Sequence, residues 1–109
     1  MEGFWTVQFK GVQGWGAGVV VYIAGRVFGG DSVAMFMGTY SLVGDDARVQ
    51  IHVKQFMEGL MNVMGPKEFD LDLAGKLEGD KLTLEGTIPG TEKRLSAVLN
   101  RQALLPARA

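Results

Sequence analysis

Short runs in which apolar and polar residues alternate recur along most of this 109-residue chain, divided by turns that carry glycine. The clearest are Phe69-Asp70-Leu71-Asp72-Leu73, Lys81-Leu82-Thr83-Leu84-Glu85 and Leu95-Ser96-Ala97-Val98-Leu99. A period of two places every second side chain on one face of a strand, so each run predicts a strand with one dry face and one wet face. So many half-buried strands in one small chain imply a closed or nearly closed antiparallel β-structure. The pattern predicts strands over 3–9, 16–24, 26–28, 33–41, 47–56, 68–77, 81–88 and 93–101. Eight strands of this length fit the chain, and a barrel of that strand number is filled by side chains or holds one small ligand. Between the third and fourth strands, Asp31 or Ser32 of Gly29-Gly30-Asp31-Ser32 is placed to cap one short helical turn.

The length favours one domain over residues 1–109, with 102–109 as a tail that Pro106 keeps out of any sheet. A chain of this size buries roughly 60–70% of its unfolded surface, enough for one core without staples. Cysteine is absent, which excludes disulfides and thiolate chemistry. Eleven Lys and Arg against twelve Asp and Glu leave a formal charge of −1, with no basic cluster to draw nucleic acid or an anionic membrane. No basic segment precedes an apolar stretch at the start, and Ala17–Ala24, the longest apolar run, is far shorter than a membrane helix. A cytoplasmic protein is the expectation.

Candidate chemistry is sparse. Gly14-Trp15-Gly16-Ala17-Gly18 lacks the Gly-Lys-Ser/Thr of a phosphate loop and is followed by β-branched residues, so its glycines read as relief at a bend between strands. His52, the single histidine, shares a strand face with Arg48, Gln50 and Lys54, which places it toward solvent. Asp70 and Asp72 form a polar stripe opposite the apolar side of their strand. No base, nucleophile and orienting group can be assembled, so no enzyme, metal or cofactor is expected.

The methionines carry more. Met57, Leu60, Met61 and Met64 fall where the alternation breaks, between 57 and 66. Flexible thioethers suit irregular surfaces, so this stretch is either a helical turn or strand covering the core, or a barrel lid or subunit interface. Met35, Phe36 and Met37 make both faces of one strand apolar, which points to an interior on one side and a partner, here a second copy, on the other.

Residues Gly18–Gly38, with the Gly25 turn, Gly29-Gly30-Asp31-Ser32 and the Met/aromatic strand after it, resemble the GrlR family of bacterial proteins. Ile51-His52-Val53 after the Asp45-Asp46 turn and the opening Gly3-Phe4-Trp5-Thr6-Val7 agree with it. The resemblance implies an all-β fold, a small lipocalin-like eight-stranded antiparallel β-barrel that forms dimers. It further implies negative regulation of type III secretion genes by binding a transcriptional activator protein rather than DNA. The family's partner-binding turn carries a longer acidic run than Gly44-Asp45-Asp46, so only Asp45 and Asp46 would inherit that contact.

Gly3-Phe4-Trp5 also matches the lipocalin Gly-x-Trp signature, in which the tryptophan closes one barrel end beneath a basic side chain of the last strand. Arg101 is in phase for that role and would pair with Trp5; the alternative is a plain core tryptophan. Two functional expectations follow. The first is a non-enzymatic regulator acting by protein contact through Asp45, Asp46 and the Met57–Met64 segment. The second is a carrier or sensor of a small apolar ligand, with Trp5, Val20, Val53, Leu71 and Leu84 as lining residues chosen by strand phase.

Overall fold

Alternation of the inward side chains sets the architecture. The computed structural model describes residues 1–59 and 62–108. The strands are β1 (Gly3–Gly11), β2 (Gly14–Ile23), β3 (Arg26–Gly30), β4 (Ala34–Val43), β5 (Asp46–Gln55), β6 (Glu68–Glu78), β7 (Lys81–Thr87) and β8 (Arg94–Ala103). Each pairs antiparallel with its sequence neighbours, and β8 pairs with β1, so the sheet closes into a barrel with no free edge.

The inward phase supplies one continuous core in which Trp5, Val49 and Leu82 are wholly buried and Tyr22, Val27, Leu84 and Leu99 nearly so. Apart from the Tyr22 hydroxyl, the described core is apolar, as burial of unpaired polar groups would be costly. Every second residue faces out, and there the charged residues lie.

Tight turns hold the register. Between β2 and β3, Ala24 and Gly25 both have positive φ (49° and 78°), the conformation of a two-residue hairpin turn that matches strand twist. The Glu2 carboxylate accepts a hydrogen bond from the Ala24 amide at 2.9 Å and ties that turn to the start of β1. Gly38 and Gly75 serve closure differently. A Cβ at Gly38 would collide with the Gln50 carbonyl, and one at Gly75 with the Thr83 carbonyl, so the missing side chain lets adjacent strands coil tightly.

One expectation is corrected. No helix follows Asp31 among the described residues. The Asp31 carboxylate does accept from the amides of Val33 and Ala34, at 2.7 and 2.8 Å, as a helix cap would. Ala34 nevertheless enters the ladder opposite Gln55, so the cap turns the chain into β4 and a helix has no room to continue. The last strand also runs two residues beyond the expected end, to Ala103.

Candidate functional site

The two ends of the barrel differ. The chain termini and the turns at Ala24-Gly25, Gly44-Asp45 and Gly79-Asp80 lie at one end; the β1–β2, β3–β4, β5–β6 and β7–β8 connections lie at the other. The first end is a closed base. Trp5 donates from Nε1 to the Met1 carbonyl at 3.0 Å and meets Tyr22 edge-on, with ring centroids 5.9 Å apart. Tyr22 in turn meets Tyr40 edge-on at 5.2 Å. The Arg101 guanidinium carbon stands 5.3 Å from the Trp5 ring centroid, inside the range of a cation–π contact. Asp80 accepts from Arg101 Nε and Nη2 at 2.8 and 2.6 Å, and the Glu2 carbonyl accepts from Nη1 at 3.0 Å, so the cation is fixed in place. The Trp5–Arg101 pair is therefore present as a stack at the barrel base.

Above this base the interior is hollow. A cavity of about 250 Å³ runs from Tyr22 and Leu99 to the opposite mouth. Val20, Val53, Leu71 and Leu84 border it; Trp5 does not, because it lies in the floor beneath. Inward side-chain size rises along β2 toward the base. Its inward residues from mouth to base are Gly16, Gly18, Val20 and Tyr22. The Phe9 ring lies over Gly16 and the Gly30 carbonyl over Gly18, whereas at the floor the Tyr22 ring itself reaches inward.

Few polar groups reach this space. Among the described residues, Tyr22, Asp31, Ser32 and Asn62 are the polar side chains on its wall, and no lysine, arginine or histidine borders it. Asp31 accepts the two amides it caps through Oδ1. Asn62 organises the crossing from β5 to β6: its carbonyl oxygen accepts from the amides of Met64 and Gly65, and its amide donates to Gln55 Oε1 and the Pro66 carbonyl. The Val63 carbonyl accepts from the Gln13 amide at 2.7 Å, which ties this crossing to the β1–β2 turn. Met64 is thereby pushed inward, 1% exposed, and becomes part of the cavity wall, whereas Met57 stays on the surface. Leu60 and Met61 lie outside the described residues. Trp15, 73% exposed, stands at the mouth.

Among the described residues, Tyr22 is the one titratable group far inside. Burial, then the neighbouring Tyr40, raises its pKa far above the ordinary tyrosine value, so it is a neutral hydroxyl at any working pH.

The outer surface holds three further features. Lys76 reaches both Asp45 and Asp46, forming a hydrogen bond to Asp46 and lying 3.5 Å from Asp45. Its own pKa is raised by the Asp46 hydrogen bond first and the Asp45 charge next. The acidic turn expected as a partner contact thus has one of its two charges offset by its neighbour in β6. His52 faces solvent but has partners: Nδ1 lies 2.8 Å from Asp70 and Nε2 2.6 Å from Glu68. These hydrogen bonds, to Asp70 first and Glu68 second, raise its pKa and favour the imidazolium. Asp72 stands opposite Thr87 in the ladder, outside that cluster. Sequence reasoning missed the His52 trio because it depends on β5–β6 register, His52 opposite Asp70 and Lys54 opposite Glu68.

The third feature is an apolar band. Phe4, Val21, Phe28 and Met37 stand side by side in register across the outside of β1–β4, and Met37 is followed by His52 and Asp70 on β5 and β6. Val19 and Met35 widen it by one step toward the mouth.

No group of three His, Asp or Glu side chains able to hold a metal ion is present among the described residues. No helix among them is long and apolar enough to cross a membrane. No family model matches the chain, and no curated protein matches it in sequence.

Proposed function

We propose that this protein binds a small, predominantly apolar molecule inside the barrel. The observation that carries this reading is the cavity of about 250 Å³, walled by aliphatic and aromatic side chains and reached from one end only. An apolar cavity of roughly 150 Å³ takes up benzene, so this one suits a molecule of about ten non-hydrogen atoms. An empty apolar space of this size forfeits dispersion contacts that an occupant of matching shape would restore. No hydroxyl on the described wall is hydrogen-bonded to a carboxylate or imidazole base, and the role we favour is retention or sensing of the molecule. Native mass spectrometry of freshly purified protein tests the reading directly. Extra mass lost on denaturation, or saturable shifts of cavity methyl resonances on titration with propylbenzene, is the expected result. Protein that is bare and gives no such shifts would refute it.

A second reading, regulation by protein contact as the GrlR resemblance implies, is favoured by the apolar band on β1–β4. Phe28 and Met37 at its centre are each nearly half exposed. Contiguous exposed apolar surface of this kind marks interaction sites on soluble proteins. With Asp45 and Asp46 held by Lys76, this band is the better candidate for a partner or a second copy than the acidic turn. Sedimentation equilibrium of the wild type against Phe28→Glu decides it. A dimer that dissociates on substitution supports the reading, and a wild type that is monomeric at high concentration and captures no partner sinks it.

A further inference from the structure

The Tyr22 hydroxyl is the unusual group in the barrel. It sits on a residue 1% exposed, at the deep end of the cavity, and no hydrogen bond reaches it among the described residues. A buried hydroxyl without a partner costs on the order of 1–3 kcal/mol, and native interiors seldom leave one so. No described side-chain oxygen or nitrogen is both sealed from open space and unpartnered. The unpartnered hydroxyl therefore still touches open space, and the open space that Tyr22 borders is the cavity. Both of its rotational neighbours, Trp5 and Tyr40, present ring edges and faces to it and fix its ring.

We infer that Tyr22 is the polar anchor of the cavity, and that its ligand is a neutral oxygen-bearing molecule, an alcohol, ketone or phenol with an apolar body of up to about ten non-hydrogen atoms in all. This rests on the cavity reading above and narrows it to a chemical class. Neutrality follows from the wall. A carboxylate brought here would lose its water and find no cation on the described wall; Arg101 stands over the Trp5 ring in the floor and is held by Asp80. An ammonium would find only Asp31, which lies in the β3–β4 connection at the mouth, at the opposite end of the cavity from the Tyr22 hydroxyl. A neutral oxygen at the deep end meets a hydroxyl that can donate to it or accept from it, while the body of the ligand fills the space beside Val20, Leu71 and Leu84.

The test compares three shape-matched probes by calorimetric or NMR titration at neutral pH: phenethyl alcohol, propylbenzene and phenylacetate, each against wild type and Tyr22→Phe. The substitution keeps the ring and removes only the oxygen. In the wild type, both neutral probes bind and the phenylacetate anion does not. In Tyr22→Phe, phenethyl alcohol weakens about five- to tenfold, the equivalent of one ordinary hydrogen bond, and propylbenzene binds as well or better. Propylbenzene binding in both proteins with no selective loss for the alcohol overturns the anchor and leaves the cavity reading standing, as does phenylacetate binding as tightly as the alcohol. Failure of both neutral probes on folded wild type overturns the cavity reading and the anchor together. Thermal melts of Tyr22→Phe confirm that the variant compared is folded.

Discussion

Filling the cavity from its wall should stabilise the protein, the reverse of what enlarging a core residue ordinarily does. Ala97 on β8 is 5% exposed and borders the void, opposite Leu84 on β7 and Phe9 on β1. Replacing it by leucine adds three carbons, worth roughly 2 kcal/mol of burial at about 0.8 kcal/mol per methylene. Ordering the new side chain returns about 0.5–1 kcal/mol of that. The net is a stabilisation of about 1.5 kcal/mol, and space does not limit it. At about 24 cal/mol per Å³, an empty 250 Å³ forfeits several kcal/mol in all. For a domain of this size the melting temperature should rise by roughly 5–10 °C. Urea denaturation of wild type and Ala97→Leu, with unchanged slope, gives the energy directly. The same variant should lose affinity for propylbenzene, so stability and binding move in opposite directions. In a close-packed interior the extra carbons would instead cost about 1–3 kcal/mol. A destabilised Ala97→Leu, or one that binds the probe as before, would refute the claim that open space lies beside Ala97.

Other perturbations address the base, the turns and the outer face. Arg101→Met removes the stack on Trp5, the Asp80 pair and the bond to the Glu2 carbonyl, and should cost about 2 kcal/mol in urea denaturation. Arg101→Lys should recover less than half, since an ammonium cannot both stack and fork; full recovery would show that charge alone matters. Gly75→Ala should cost more than Gly44→Ala in the same assay. The first drives a methyl into the Thr83 carbonyl of a paired strand, whereas the second meets open space and only the penalty of φ 63°. The reverse order would contradict the close approach of β6 and β7. The His52 ring should titrate by NMR above its ordinary value of 6.5. Because its folded pKa lies above the unfolded one, the stabilisation is complete below about pH 6.5 and is lost as pH rises through the folded value. Melting temperatures of wild type and His52→Gln should therefore converge on the alkaline side, and parallel profiles would dismiss the cluster.

What the sequence reveals and what it hides divide along the range of the interactions. Strand positions are local: alternation at Phe69–Leu73 or Leu95–Leu99 places the core face directly, and observed strands begin and end within about two residues of the predicted ones. Phase also marks Val20, Val53, Leu71 and Leu84 as inward, and they border the cavity. Arg101 is readable by the same phase, since it continues Leu95, Ala97 and Leu99. Closure of β8 on β1 is not local, and neither is the His52 trio, which needs the offset of β6 against β5. The helical turn expected at Asp31 fails for a related reason. A cap satisfies amides at a helix start or a strand start alike, and the pairing of Ala34 with Gln55 decides between them. Met64 could not be sorted from Met57 by composition, because its burial depends on Asn62 holding two amides and two partners at once.

The order of side-chain sizes along single strands argues that the hollow is built in. Reading inward positions from mouth to base, β2 runs Gly16, Gly18, Val20, Tyr22, and β1 runs Gly11, Phe9, Val7, Trp5. Both end on an aromatic at the base, where Trp5 and Tyr22 meet edge-on. On β4 and β8, Ala34 and Ala97 stand toward the mouth while Tyr40 and Arg101 stand at the base. An eight-stranded barrel has an interior that side chains can just fill, and this chain fills one half. Phe9 partly covers the gap, lying over Gly16 and edge-on to Phe36 at 6.1 Å. The floor, sealed by the Trp5–Arg101 stack, closes the base to solvent, so a molecule must enter past Phe9 and Trp15. It would pass Asp31 and Ser32 at the mouth, travel along an apolar wall and meet the Tyr22 hydroxyl at the end. That ordering favours an apolar body with a single polar head entering first, and it makes Gly16→Val, which narrows the mouth, a slower-binding variant whose floor is untouched.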